Sequence, residues 1–393
     1  MKFKNNPKVV YMLILILSAL FLLLGFLLFR PAGPALYSDE YHTAIVASVG
    51  NIIEEESGYD GTEAGERNQT VYFQATLTSG GSELKGTTVE AQQYINYALS
   101  VAPKPVEEGD KILLYRSGQD PSQGAGQGVW QYAEKNRLGA MLFIIGLFLF
   151  LILLIGGRKG FSTIVALIFT VGAIFLVYIP SILKGFNIYA GTVIICGFII
   201  VMSLLLLNGI NRKTLCAILG NTSGVLISGL LALIFSQVLG ITGDVEEDYL
   251  MLLHLSGGIR IDLTAIVWGS VLIGSLGAIM DVAMSIASAL QELAENMEKR
   301  SFWRLFRSGM NIGRDAIGTM TNTLILAYIG GSMATVLLLM AYNMNPLYLF
   351  NLEMIVVEVL QAVVGSIGIL LAVPATAFFA SYLYTRKEPD HEH

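Results

Sequence analysis

Long apolar runs constrain the fold of this chain more than any other feature of its sequence. Scanning for runs of about 17–25 apolar residues, the length with which an α-helix crosses a hydrocarbon core, finds eight of them. They are Val9–Phe29, Leu138–Ile155, Phe161–Ile182, Tyr189–Leu207, Leu215–Leu239, Leu263–Leu290, Met320–Ala341 and Met354–Tyr382. Because 54% of the 393 residues are hydrophobic and only 14% are charged, an ordinary soluble domain is excluded. The sequence predicts an α-helical polytopic membrane protein with about eight transmembrane helices.

The basic residues of the loops predict the orientation, since short cytoplasmic loops collect Lys and Arg whereas exported loops do not. An inside N-terminus leaves only Lys184 and Arg260 in the short outer loops, beside the acidic segment Asp244–Asp248. It places the following residues on the cytoplasmic side: Lys2, Lys4, Lys8, Arg158, Lys159, Arg212, Lys213, Lys299, Arg300, Arg304, Arg307, Arg386 and Lys387. We therefore expect both termini inside and residues 31–137 outside.

Residues 31–137 are polar and rich in Gly, Ser, Thr and Gln, unlike the rest of the chain. Segments that alternate apolar and polar residues, or that are rich in Val, Ile, Thr and Tyr, predict strands. These are His42–Ile53, Gln69–Leu77, Leu84–Ala91 and Lys111–Tyr115. About five strands in roughly 75 residues predict a small β-barrel or sandwich, and Val106–Leu114 resembles the last turn and strand of an OB-like barrel. The domain has no basic excess, so nucleic acid is not expected as a partner.

Two segments connect this extracytoplasmic domain to the second apolar run. Residues 117–128 are rich in Gly, Ser and Gln and predict a flexible linker. Trp130, Tyr132 and Arg137 follow, and we interpret them as interfacial anchors of the second span.

The remaining chain divides into three parts. Residues 1–30 predict an N-terminal anchor helix; a cleaved signal peptide is the alternative, but about 21 apolar residues followed by Arg30 are long for one. Residues 138–386 predict a seven-helix transmembrane domain, and residues 387–393 a cytoplasmic tail. The two cysteines fall in or beside apolar runs and are interpreted as packing residues.

Asp281 lies inside the sixth apolar run, where a charge costs about 2.5–3.5 kcal/mol on insertion scales, and such an acid is a functional candidate by default. Small residues share its helical face, which allows a neighbouring helix to approach closely. They are Ser270, Gly274, Ala278, Ser285 and Ser288. We expect Asp281 to face protein or water rather than lipid.

Four segments carry a family resemblance that extends from about residue 136 to 386. They are Gly157–Phe161, Asn208–Thr214, Gly274–Leu290 and Gly313–Leu324. Through them the chain resembles the YibE/F-like family of bacterial membrane proteins. Because that family is defined by sequence, the resemblance implies a multi-pass protein of the bacterial cytoplasmic (inner) membrane and little about its chemistry.

A more distant resemblance concerns roughly residues 224–382. Ile261–Arg300 places a mid-membrane acid on a helix that continues into an amphipathic segment, Arg314 precedes several threonines, and Gly365–Pro374 is a small-residue stretch ending in proline. These features are similar to the export protein SecF and related proton-driven permeases. The resemblance implies that Asp281 carries a proton and that Arg314 is its counter-charge.

Other polar residues in the last two runs are candidates for the same path. Thr319, Asn322 and Thr323 lie in the seventh run, and Glu358 lies in the eighth. Hydroxyl and amide groups in hydrocarbon need partners, so they either line a path or hold helices together. On the structural alternative, Asp281 lies near the inner boundary and hydrogen-bonds Asn322 or a threonine.

Two functions from different classes follow. The first is a permease or export factor that is coupled to an ion (proton) gradient through Asp281. The second is a non-transporting module whose β-domain binds an envelope protein and whose helices serve as an anchor or assembly platform.

Motifs for catalysis and for cofactors are not found in the sequence. It contains no His-Glu-x-x-His, no Gly-x-Ser-x-Gly and no phosphate-binding Gly-x-x-x-x-Gly-Lys motif. We therefore expect no enzyme activity, no cofactor and no metal. The expected partners are membrane lipids, an envelope protein bound through residues 31–137, and further copies of the chain as a candidate homo-oligomer.

Overall fold

A computed structural model describes residues 7–30, 41–56, 67–80, 84–96, 104–117, 129–243, 261–298, 300–342 and 345–386. Residues 118–128 of the linker predicted over 117–128, the acidic segment Asp244–Asp248, Arg260 and the tail 387–393 lie outside these ranges. The chain divides into two compact units, one formed by residues 32–151 and the other by residues 1–31 and 152–393.

Five strands in the first unit form a closed barrel. They are β1 His42–Glu56, β2 Arg67–Leu77, β3 Thr88–Ile95, β4 Lys111–Ser117 and β5 Val129–Lys135. Their order around the barrel is β1-β2-β3-β5-β4; the pairing of β3 with β5 is parallel and the other four pairings are antiparallel. Inward-facing apolar residues of all five strands fill the interior. A small five-stranded barrel, as the sequence predicts, is therefore confirmed, and its strand order is that of an OB-like barrel.

Two predictions within this unit are wrong. The third strand begins at Thr88 rather than Leu84, because Leu84–Gly86 form a turn in which Gly86 has φ +87°, a conformation that favours glycine. Trp130 and Tyr132 are not free to act as interfacial anchors: they lie on β5, where Trp130 is buried in the barrel interior and Tyr132 packs against it. The prediction failed because aromatic residues just before a long apolar run occur both in the last strand of a barrel and at a membrane boundary, and the sequence pattern is the same in the two cases.

The barrel continues into a helix through a very short connection. β5 ends at Lys135 and helix α2 begins at Leu138. The N–H of Asn136 donates to the carbonyl of Lys111 at 2.8 Å, and the Asn136 side chain accepts from the N–H of Leu138 at 3.1 Å. The same asparagine is therefore bonded both to the barrel and to the first turn of the helix.

The rest of the described chain is helical. The helices are α1 Pro7–Phe29, α2 Leu138–Gly172, α3 Ile179–Leu183, α4 Ile188–Asn208, α5 Arg212–Val238, α6 Leu263–Glu295, α7 Phe302–Gly331, α8 Met333–Ala341, α9 Pro346–Leu349 and α10 Glu353–Thr385; a π-helical turn, Ala173–Tyr178, joins α2 to α3. Among the described residues, six helices are long and apolar enough to cross a membrane. The number is seven if α7 and α8, which are bent by 56° with respect to each other, form one span.

One of the six, Leu138–Leu183, is 46 residues long and is interrupted at Gly157. Gly157 has φ 52° and ψ −126°, which no helical residue adopts. Gly160, three residues later, lies so close to Ile152 that a Cβ there would overlap the Ile152 carbonyl oxygen. The chain therefore turns sharply at Gly157, between the second and third runs that the sequence predicts.

Small residues bring α10 against three neighbouring helices. A Cβ at Gly220 or Gly224 of α5 would collide with Thr376 or Ala372 of α10, and one at Gly313 of α7 would overlap Val373. On α6, Ser275 packs against Gly365 of α10. Helix α10, which contains Pro374, therefore occupies the centre of the bundle formed by α5, α6 and α7.

Candidate functional site

Helix α6 begins at a defined N-cap and carries Asp281 in its second half. The Asp262 carboxylate accepts a hydrogen bond from the N–H of Ala265 and so starts the helix. The residues of α6 that face α5 and α10 are buried, whereas Gly277, Asp281 and Ser285 form an exposed strip. Asp281 makes no hydrogen bond and no ion pair with any residue that the structure describes. Its carboxyl group is therefore available to exchange a proton or to bind a partner.

Two contacts fix the register of α6 against α7. A Cβ at Gly274 would lie 2.5 Å from the Tyr328 hydroxyl, and one at Gly309 would lie 2.8 Å from Leu290. Early residues of α6 thus meet late residues of α7, and the two helices are antiparallel. Advancing seven residues from Gly274 and returning seven from Tyr328 places Asp281 level with Thr321, about 10 Å along the helix pair.

Two hydroxyl groups of α7 are buried in this region without a hydrogen-bond partner among the described residues. They are Thr321 Oγ1 and the Tyr328 hydroxyl. A buried polar group without a partner costs about 1–3 kcal/mol, so native proteins rarely retain one without a reason. Together with Asp281, these hydroxyls form a row of unsatisfied polar groups along α6 and α7.

Asn221 on α5 is a further buried polar group without a partner among the described residues. Its side chain is fully buried and neither amide atom has a partner within the described ranges. The contacts of Gly224 with Ile279 and of Gly229 with Leu272 make α5 and α6 antiparallel and place Asn221 level with Asp281 and Val282. Asn221 is not among the residues predicted from the sequence; an amide between Gly220 and Gly224 in an apolar run was the signal.

Glu358 and Gln361 of α10 lie towards the other end of the row. Gln361 donates to the Ser270 hydroxyl of α6 at 3.0 Å. Glu358 is half-buried and lies about one helical turn before Gln361, while Gly365, one turn after Gln361, packs against Leu324 of α7 and Ser275 of α6. Glu358 is therefore near the level of Tyr328, and its role as a second acid on the path stays a prediction.

Arg314 does not lie beside Asp281. In the same register it is level with Ser288, seven residues and about 10 Å further along α6. Its guanidinium is exposed and donates to Asn311 Oδ1 at 3.5 Å, and the described residues contain no ion pair between it and Asp281. The prediction that Arg314 is the counter-charge of Asp281 is therefore not supported by this structure.

The other candidates of α7 face away from α6. Thr319 and Thr323 are exposed, and their hydroxyls donate to the carbonyls of Ala316 at 3.0 Å and Thr319 at 2.8 Å. Asn322 is also exposed and makes no contact with Asp281. The sequence correctly places these residues in a helix, but which side of α7 packs against α6 and α10 depends on tertiary contacts.

Two apolar grooves lie elsewhere in the bundle. A groove of about 350 Å³ between α5 and α10 is lined by Phe235, Leu239, Val359 and similar side chains. Another of about 300 Å³ between α4, α5 and α6 includes Cys196 and Trp268. Neither contains Asp281, and both suit an acyl chain better than an ion. Within the described ranges no group of three or more His, Cys, Asp or Glu residues could hold a metal ion.

These features define a class: a bundle of long apolar helices that carries an exposed, unpartnered acid on one helix and buried hydroxyls on the next, in a chain that also forms a small β-barrel. The profile of the YibE/F-like proteins matches residues 144–386, more than half of the chain, and the chain belongs to this family, as its sequence motifs predict. No curated protein and no solved structure matches the chain. The resemblance to SecF thus remains a prediction.

Proposed function

We propose that this protein is a multi-pass protein of the bacterial cytoplasmic membrane, a permease or export factor coupled to a proton gradient, with Asp281 as the group that carries the proton. The observation on which the proposal depends is the row of Asp281, Thr321, Tyr328 and Glu358, in which Thr321 is level with Asp281 and Tyr328 lies between that level and Glu358; both hydroxyls are buried without described partners.

The apolar helices support the location. Each side of Gly157 within Leu138–Leu183 is about long enough to cross a core of about 30 Å, whereas 46 continuous helical residues would extend about 70 Å. Counting these two sides separately, and α7 with α8 as one broken span, gives the eight spans that the sequence predicts. With the N-terminus inside, Arg304 and Arg307 are cytoplasmic and the barrel is outside, as the distribution of Lys and Arg requires.

In that orientation the row follows the contact between α6 and α7. Glu358 lies about one helical turn nearer to the extracytoplasmic side than Tyr328. Asp281 and Thr321 lie about 10 Å nearer to the cytoplasmic side than Tyr328. Because that distance is too long for direct transfer, the proton passes along water molecules held by the Tyr328 and Thr321 hydroxyls. Asp281 takes up the proton and becomes neutral, which removes the cost of its charge, and releases it towards Ser285 and the cytoplasm.

The decisive measurement is proton flux driven by a pH gradient in proteoliposomes. We expect Asp281→Asn to abolish flux, because an amide cannot take up the proton. Glu292→Gln is the matched control, since it makes the same change at an exposed carboxylate of the same helix and should retain flux. Equal flux from wild type and Asp281→Asn, or none from wild type, would contradict the proposal.

The hydroxyl groups provide an independent test of the path. Tyr328→Phe keeps the ring and removes only the hydroxyl, the atom that lies nearest to Gly274, so the fold should be retained. We expect flux to fall by about tenfold or more, as is typical for loss of one positioned proton-transfer group. Unchanged flux with Tyr328→Phe would exclude Tyr328 from the path while leaving the role of Asp281 to the first experiment.

One observation favours the rival function, a partner-binding module. Tyr72 on β2 and Tyr94 on β3 point outward on neighbouring strands with 43% and 60% of their surface exposed. Exposed tyrosines are typical of protein-binding surfaces. Pull-down of envelope proteins by wild type but not by Tyr72→Ser/Tyr94→Ser would favour this function, particularly if wild type shows no proton flux.

A further inference from the structure

Helix α7 carries a second polar feature, on the side that faces away from α6 and α10. Its members recur at helical spacing, and all of them are exposed or half-buried. This polar stripe consists of Asn311, Arg314, Asp315, Gly318 and Asn322. Among the described residues, Arg314 bonds only to Asn311 of its own helix, and Asp315 has neither a hydrogen bond nor an ion pair. The inner face of α7 is already covered by α10, through Gly309 and Gly313, so the stripe is not needed for packing within the chain.

If α7 crosses a bilayer, as the proposed membrane location requires, Asn322 lies inside the seventh apolar run, and Arg314, Asp315 and Gly318 lie within two helical turns of its cytoplasmic end at Met320. An amide in hydrocarbon needs a partner, and charges beside the membrane boundary are stabilised when they pair. The charges of the stripe cannot satisfy each other, because Arg314 and Asp315 are consecutive and point in directions about 100° apart.

We propose that the polar stripe of α7 is the interface with a second copy of this chain, related by a two-fold axis along the membrane normal. A two-fold axis brings residues of the same level together, and the stripe is self-complementary under that operation. Arg314 of each copy meets Asp315 of the other, so both charges are paired. Asn322 meets Asn322, and an amide both donates and accepts. Gly318, whose Cβ position touches no described atom within 4 Å, lets the two helices approach closely.

A second copy fits these observations better than lipid or a different protein does. Acyl chains offer no partner to Asn322, and a different protein would have to supply the mirror set of charges. The chain itself already contains one acid and one base at the required level. The pairing is also independent of the Asp281 row, which faces α6.

Cysteine cross-linking tests the contact in the full-length protein. With Cys196 and Cys216 replaced by alanine, Gly318→Cys should form a disulfide-linked dimer on oxidation in proteoliposomes. The matched control is Leu226→Cys on α5, a helix position with 56% of its surface exposed and outside the stripe. A cross-linked fraction for Gly318→Cys no higher than that for Leu226→Cys overturns the proposal.

Charge exchange tests the pairing itself. Arg314→Asp alone or Asp315→Arg alone places like charges opposite each other, and we expect about tenfold weaker association in detergent, which corresponds to about 1.4 kcal/mol. The double variant Arg314→Asp/Asp315→Arg restores opposite charges and should recover the dimer. If the double variant does not form the dimer, the proposal is overturned. This outcome does not depend on whether the single variants fold, because the double variant and Gly318→Cys are each compared only with wild type or with their own control.

The outcomes separate this inference from the proposed function, on whose membrane location it rests. Cross-linking requires only that location, whereas proton flux requires Asp281. A dimer without flux would leave the interface intact and remove the permease; flux from a protein that does not cross-link would do the reverse.

Discussion

The carboxylate of Glu353 links the segment after α5 to the start of α10. It accepts hydrogen bonds from the N–H groups of Thr242 and Gly243, at 2.7 and 2.6 Å, and from the Thr242 hydroxyl at 2.8 Å. Thr242 and Gly243 follow α5, and Glu353 begins α10. The sequence does not mark this residue as a site, because an acid near a helix end is most often solvated; its partners lie more than a hundred positions earlier in the chain.

We predict that Glu353→Gln destabilises the protein by about 1–3 kcal/mol, since hydrogen bonds to a charged acceptor are lost and the new amide N–H groups face other donors. The measurement is thermal unfolding in detergent, where the midpoint should fall by several degrees. Glu292→Gln, at an exposed position, should leave the midpoint unchanged. A midpoint for Glu353→Gln equal to that of wild type would show that the three bonds are not formed in solution.

At the same scale, Asp281 shows what one residue reveals in a sequence and what it does not. Its cost in an apolar run is enough to identify it from the sequence alone. Whether it faces Arg314 depends on the register of α6 against α7, which is set by the contacts of Gly274 with Tyr328 and of Leu290 with Gly309. Such contacts between distant positions have no local signature, so a sequence can single out Asp281 without showing what lies beside it.

Among the helices, the contact of α5 with α10 depends on Gly220. A Cβ there would lie 2.7 Å from Thr376 Cβ and 2.9 Å from Thr376 Cα, so the two helix backbones would have to separate. We predict that Gly220→Ala destabilises the protein by about 1–3 kcal/mol through overpacking.

Gly197→Ala on α4 is the matched control, because no described heavy atom lies within 4 Å of that Cβ position. It should be neutral or stabilising by up to about 1 kcal/mol, since alanine favours a helix more than glycine does. Thermal unfolding of both variants in the same detergent makes the comparison. Equal loss in both would mean that helix propensity or general sensitivity, and not the α5–α10 contact, explains the effect.

In the barrel, one ion pair links the turn before β4 to the end of β5. Lys135 donates to Asp110 Oδ1 at 2.7 Å, and the N–H of Glu107 donates to Asp110 Oδ2 at 3.0 Å. The hydrogen bond from Lys135, followed by that from Glu107, holds the pKa of Asp110 below its ordinary value. The same pair raises the pKa of Lys135.

Because the folded pKa of Asp110 is lowered, its contribution to stability is present above its unfolded pKa of about 3.9 and is lost as the pH falls through the folded value. We predict faster amide hydrogen exchange of β4 and β5 in Asp110→Asn than in wild type at pH 7. The difference should be small for an exposed pair and should vanish at acidic pH, where both proteins carry a neutral side chain. A difference that persists unchanged at a pH well below the folded pKa would assign the effect to the hydrogen bonds alone.

Strands and helices differ in how well the sequence predicts them. The apolar runs predict the helices because each run is long and its composition is extreme. The shift of β3 from Leu84 to Thr88 and the omission of β5 have another cause: a strand of seven or eight residues gives a weak pattern, and the closure of a barrel by a parallel pair is decided by contacts distant in the sequence.

For the whole molecule, we predict opposite locations for the barrel and the start of α7. In right-side-out membrane vesicles, Tyr94→Cys should react with a membrane-impermeant maleimide, whereas Trp303→Cys should react only after permeabilisation. Both side chains are well exposed, at 60% and 74%. The native cysteines, which are buried, should give little background. Labelling of both positions from the same side would contradict the eight-span topology.

Some parts of the architecture can be predicted from the sequence and others cannot. The division into a polar β-region and an apolar helical region is visible in composition alone, and the family is visible in its motifs. The central position of α10 is not, because α1, α2 and α4 are more apolar than the run that becomes α10 and yet do not lie at the centre. It is central because its small residues match glycines on α5 and α7, a complementarity between surfaces rather than a property of one segment.

The connection through Asn136 has a mechanical consequence. Only Asn136 and Arg137 separate β5 from α2, and Asn136 is hydrogen-bonded to both sides, so the connection has few free backbone torsions. A partner that binds the barrel and rotates it would therefore also rotate the first turn of α2. Insertion of a few glycines after Lys135 would leave the barrel and α2 intact and let the barrel rotate without α2.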